Sequence, residues 1–165
     1  KNRNIVQVFK KNVYGLIRTH VPMFASTKKS TRYVLNDNFL IFWFRYIFKY
    51  NYMLEIGAYA QLRELIDHDY ETFTGQCLER YFKEQLAETQ QFTRIDAWWS
   101  RNGQDEIDIV ALNEMNSTAI FYEVKRQGKA YNENKFLEHI AAFLQTTRQL
   151  KGYSITHQLL CMEDM

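Results

Sequence analysis

A chain of 165 residues, 46% of them hydrophobic and 16% aromatic, has enough apolar material to bury a core; this excludes intrinsic disorder and bounds the architecture at one domain, or one domain with a small appendage. Its two cysteines, Cys77 and Cys161, lie far apart and form no CxxC pair, which argues against a disulfide frame or zinc site and for a reducing, cytoplasmic compartment. Net charge is only +2, but residues 1–36 hold eight bases (Lys1, Arg3, Lys10, Lys11, Arg18, Lys28, Lys29 and Arg32) and no acid, so a polyanion is the partner this arm suits.

The chain opens with Lys1 rather than Met and reads as a piece of a longer protein. Ile5, Val6, Val8, Phe9 and Val13 recur at helical spacing, and Gly15 fits a C-terminal cap. Leu16–Pro22 and Thr31–Leu35 read as short strands joined by the polar link Met23–Ser30, which carries Lys28 and Lys29. Helix, strand, basic loop, strand is how a winged-helix domain ends. Lys28, Lys29 and Arg32 would then contact DNA phosphates; the bland alternative is a basic surface hairpin that touches no nucleic acid.

Asn36 and Asp37 are good N-caps. They introduce a helix over 38–53 that is aromatic nearly all round and is therefore expected to be buried between the two halves of the chain. The run Phe39–Phe48 is too short to span a bilayer and contains Arg45, so no membrane association is expected. Ala58–His68 and Glu71–Glu88 read as two further helices. Glu79 follows Gly75 by one turn, and the glycine would let the backbone approach a neighbour closely. Glu79 either faces a site or pairs on the surface with Lys83 at i+4.

Three strands follow as a meander: Thr93–Arg101, then 104–112 after the Asn102-Gly103 turn, then 119–125. A turn between Met115 and Asn116 sets Asp108 across from Glu123 and Glu106 across from Lys125. Carboxylates directly opposed across a ladder repel, so a divalent cation would explain the pair. A solvated face with a Glu106–Lys125 surface pair would explain it equally well. Asn132–Leu150 is an amphipathic helix with Phe136, Ile140, Phe143, Leu144 and Leu150 inward. Ser154–Met162 is a last strand, expected parallel to its neighbour after the helical crossover. No P-loop motif occurs.

Glu79 on a helix in Gly75-x-x-x-Glu79, Asp108 in Glu106-Ile-Asp-Ile-Val110, and Glu123-Val-Lys125 on the next strand, followed by helix and strand, together resemble the PD-(D/E)XK nuclease superfamily. With Tyr33-x-Leu-x-Asp-x-Phe-Leu-x-Phe-Trp-Phe-Arg45 and Trp98-Trp99, the chain from about Ile5 is similar to the C-terminal part of archaeal-type ATPases, which join a P-loop ATPase, a winged helix and a nuclease-like domain. The resemblance implies an α/β (α+β) fold, a restriction-endonuclease-like mixed sheet flanked by helices, preceded by a partial winged helix and a buried aromatic helix. It divides the chain into 1–36 (end of the winged helix), 37–70 (helical bridge) and 71–165 (nuclease-like domain).

The same resemblance implies a catalytic set of Glu79, Asp108, Glu123 and Lys125, with Mg²⁺ or Mn²⁺ on Asp108 and Glu123. ATP would enter only through an N-terminal ATPase domain that this chain lacks. The implied activity is metal-dependent hydrolysis of DNA phosphodiesters. The alternative is a non-catalytic DNA- or protein-binding regulatory domain. Partners would be DNA, the protein's own ATPase domain and a second copy of the chain. Two departures stand out. The Pro-Asp dipeptide is replaced by Ile107-Asp108, and the extra helix residue of the superfamily could be Lys135 or Gln145.

Overall fold

The computed structural model describes residues 15–25 and 31–165. The helix expected over 4–13 and the lysines Lys28 and Lys29 lie outside the described residues. The described residues form two compact units, one of residues 15–20 and 31–74, the other of residues 21–25 and 75–165.

In the first unit, β1 (Ile17–His20) and β2 (Arg32–Leu35) pair antiparallel, with His20 opposite Arg32. The two strands are those the sequence predicts. The Asp37 side chain then accepts a hydrogen bond from the Leu40 N–H at 2.7 Å and caps α1 (Asn38–Phe42), satisfying one of the donors a helix start leaves free. A π-helical stretch, Trp43–Phe48, and α2 (Asn51–Glu55) follow.

The expected burial of this aromatic stretch is not found. Tyr46 is buried, whereas Phe39 (67% exposed), Phe48 (65%), Trp43, Phe44 and Tyr52 all face outward. A helix apolar on every side needs an apolar neighbour on every side, and among the described residues packing reaches one side only. Phe42 and Tyr46 meet Phe73 edge-on, at ring distances of 5.8 and 5.9 Å. The contact is tied by Asp69, which accepts from Tyr46 Oη at 2.7 Å and from Arg45 Nη2 at 2.8 Å. Those bonds hold the Asp69 carboxyl well below the usual range, the Arg45 bond contributing most.

The helices expected at 58–68 and 71–88 are one helix, α3 (Tyr59–Glu88, 30 residues). Residues 66–74 contain no proline or glycine to end it, and the single Gly75 lowers helix propensity by only about 1 kcal/mol. Its residues to Thr74 belong to the first unit, and those from Gly75 to the second.

The second unit is a four-stranded sheet in the order β3 (Arg94–Trp99), β4 (Glu106–Asn113), β5 (Thr118–Val124), β6 (Ser154–Leu160). The first three strands are antiparallel and β6 runs parallel to β5, as the crossover through α4 (Glu133–Thr146) requires. This is the expected mixed sheet flanked by helices. One sheet face carries Ile107, Val110, Leu112, Ala119 and Phe121 against Phe136, Ile140 and Phe143 of α4. The other carries Ile109, Ala111, Tyr122 and Val124 against Leu78 and Phe82 of α3.

Ile107 and Val110 share a face although their numbers differ by an odd step. The cause is a bulge: Asp96 pairs with Val110 and Trp98 with Ile107, so Ala97 alone faces both Asp108 and Ile109. Met23, at the start of the link read as polar, is buried in this unit's core, with its N–H on the Ala97 carbonyl at 2.9 Å. Phe24 stacks on Phe143 and lies under the Arg94 guanidinium. No helix among the described residues is long and apolar enough to cross a membrane.

Candidate active site

The β4–β5 ladder has the register read from the sequence, Ile109 opposite Tyr122 and Asn113 opposite Thr118. It stops one step short of Asp108 and Glu123. There the Asp108 side chain takes the place of a backbone partner: Oδ2 accepts from the Val124 N–H at 2.8 Å. Beyond that point β5 stays with β6, where Glu123 pairs with Leu159 and the Lys125 N–H donates to the Leu160 carbonyl at 2.9 Å. The two strands therefore fork at Asp108, and Glu106, opposite Trp99 on β3, is not the rung partner of Lys125. Lys125 Nζ lies 2.5 Å from Glu123 Oε1 instead.

Glu79 reaches the fork from α3. Of the two readings of Glu79, the i+4 pair with Lys83 does not form: Lys83 Nζ sits 2.7 Å from Asp96 Oδ1. Nor does Gly75 mark a close approach, since a Cβ built there meets nothing within 4 Å.

The charges of the four residues act on one another. Burial, then the Asp108 and Glu106 charges, push the Glu79 carboxyl up to about 8. Burial, then the Glu123 charge, push Asp108 up to about 6, against the opposing pull of the Val124 N–H and Lys125. Burial works against the Lys125 charge, but its bond to Glu123 and the fields of Asp108 and Glu79 outweigh it, so the ammonium is held above its ordinary value. The Tyr131 phenol is also raised, by burial and by the charges of Glu133 and Glu123. Nothing in the sequence singles out Tyr131 or Asp96; the fold alone brings the one within reach of Glu123 and the other onto Lys83.

Among the described residues, no three His, Cys, Asp or Glu side chains are gathered closely enough to cage a metal ion. A two-carboxylate arrangement suits magnesium, which keeps several waters and binds through one or two carboxylates plus substrate phosphates. The donor set of Asp108 and Glu123 is all oxygen, and the crowding of negative charge at the fork favours a cation. Of the residues read as contacting nucleic acid, Arg32 is exposed on β2, and Lys28 and Lys29 lie outside the described residues. Lys135 is exposed in the first turn of α4 and Gln145 lies at its end.

Residues 43–137 match the DUF234 family, archaeal and bacterial proteins of unknown function. The chain belongs to that family. It is also 38% identical, over 131 residues, to an uncharacterized protein of Methanocaldococcus jannaschii. That alignment covers 74% of this chain and 28% of the relative, so this DUF234 chain spans little more than a quarter of the relative's length. No solved structure matches it.

Proposed function

We propose that this DUF234 domain is the nuclease-like part of a larger ATPase and hydrolyses DNA phosphodiesters with Mg²⁺ or Mn²⁺. The observation that carries the reading is the fork itself. Glu79 from a helix, Asp108 from a bulge, and Glu123 and Lys125 from a strand end place three carboxyls and one ammonium within each other's electrostatic reach. Asp108 and Glu123 would hold the ion. A divalent ion held there would supply Lewis-acid chemistry to the phosphoryl oxygen and make water a better nucleophile. Lys125, released from Glu123, offers its ammonium to the charge that grows on the phosphorane oxygens. Glu79 would add a further carboxyl near Asp108, supporting the ion's ligands or helping to hold a second ion.

Nicking of plasmid DNA by the full-length protein tests this. Asp108→Ala and Lys125→Ala should each lower the rate by about 100-fold or more, the usual scale for removing one charge-stabilising group. Absence of cleavage of single-stranded, duplex and branched DNA with either metal would end the enzyme reading.

A second reading, a non-catalytic protein-binding regulatory domain, draws on the outward aromatic side chains Phe39, Trp43, Phe44 and Phe48 and on the ion pair that occupies Glu123 and Lys125. Large apolar groups exposed together mark contact surfaces. Under that reading, Asp108→Ala leaves every binding property of the protein unchanged.

A further inference from the structure

Lys83 lies one turn beyond Glu79 on α3, and on a helix those positions are neighbours whose opposite charges attract. An ammonium laid on Glu79 would tie up the carboxyl that stands beside Asp108. Lys83 is turned the other way: its Nζ is 2.7 Å from Asp96 Oδ1, both side chains half-buried. The same Asp96 oxygen accepts from the Ala97 N–H at 3.1 Å. Ala97 is the residue that faces both Asp108 and Ile109 across the bulge. Asp96 thus touches the helix that carries Glu79 and the strand that faces Asp108, without belonging to the fork.

We propose that Asp96 is a positioning residue, which keeps Lys83 off Glu79 and so leaves the Glu79 carboxyl free to serve the site. The inference rests on the reading of the fork given above for the part of it that concerns activity. Its physical basis is competition for one cation. The rival carboxyls are Asp96, 2.7 Å from Lys83 Nζ, and Glu79, one turn back on the same helix, where an i,i+4 pair can form. The Asp96 contact spans strand and helix and is backed by a backbone N–H, whereas the Glu79 contact would be a local side-chain pair of small value. Asp96 therefore holds the cation as long as it keeps its charge.

Asp96→Asn is the natural probe, because the amide oxygen can still accept from the Ala97 N–H while the charge is gone. In the full-length protein it should cut nicking about tenfold, the low end of the losses seen when a group supporting a metal site is disturbed. Asp96→Glu should restore much of that loss. The double variant Lys83→Met/Asp96→Asn removes the misplaced ammonium and should cut within about threefold of wild type, since replacing both partners of a pair is close to neutral. A merely structural role for Asp96 gives no recovery in the double variant.

A crystal structure of the Asp96→Asn protein decides the geometry without needing activity: Lys83 Nζ should lie within salt-bridge distance of Glu79. Lys83 remaining away from Glu79 in that structure, wild-type nicking by Asp96→Asn, or a double variant no better than the single one each overturns the inference. A wild-type protein that fails to cut defeats the nuclease reading alone, and the Asp96→Asn structure still decides where Lys83 goes.

Discussion

Asp108 brings a carboxylate into a half-buried place where Glu123 and Glu106 already act on it, and Glu79 is placed likewise. Both carboxyls bind protons more tightly in the folded chain than in the unfolded one. Stability from such groups is fully present below their unfolded pKa values and is lost as pH rises through the folded ones. In EDTA the melting temperature should therefore fall from pH 4 to about 6 through Asp108 and on to about 8 through Glu79. Glu79→Gln should flatten the upper part of that decline; an identical slope in wild type and variant would remove Glu79 from the cluster. Asp108→Asn, which keeps an acceptor for the Val124 N–H, should melt at or above the wild-type temperature near neutral pH. Added Mn²⁺ should stabilise wild type by mass action, about 2.7 kcal/mol at a hundredfold excess over the dissociation constant. The Asp108→Asn variant should lose most of that response, and equal metal responses in the two proteins would take Asp108 out of the metal site.

At the scale of elements, the continuous helix α3 matters most, because it carries Glu79. Gly75 lies within it with open space where a Cβ would stand. Gly75→Ala should stabilise the protein by about 0.5–1 kcal/mol, since alanine removes unfolded-state freedom and meets no neighbour. Urea unfolding measures this, and a loss of stability would reveal a close approach at that face. The capping of α1 by Asp37 was legible in the sequence because a cap is a local hydrogen bond to a residue three positions on. The β4–β5 register was legible too, since the polar turn Glu114–Ser117 leaves little choice of pairing. The bulge at Asp108 was not: it depends on which β4 residues meet Ala97 on another strand.

At the scale of the molecule, the charge asymmetry of the chain concerns a partner rather than the fold. If the basic arm of residues 1–36 contacts phosphates, DNA binding weakens with salt as condensed counterions are retained. Replacing Lys28, Lys29 and Arg32 with Ala should then weaken all DNA sequences alike and reduce the salt slope by roughly one unit for each phosphate no longer neutralised. An unchanged slope in a salt titration would assign those charges to solvent. The outward aromatic stretch poses the complementary question for apolar partners. Composition predicts that such a stretch seeks apolar company, but only the packing of Phe42 and Tyr46 on Phe73 tells which side of it finds company within the chain.

The sequence by itself determined the strands, their order, the hairpin register, the parallel last strand and the inward face of α4, because alternation, turn residues and helical periodicity act over a few neighbouring positions. It also singled out Glu79, Asp108, Glu123 and Lys125. Tertiary structure decided how those four stand. It ended the ladder before Asp108, turned Lys125 onto Glu123, drew Lys83 to Asp96 and left Phe39 and Phe48 in solvent. Each of these outcomes is a competition between partners distant in sequence. The winner depends on which groups the sheet and helices bring within about 3 Å of each other, and no local pattern of residues records that distance.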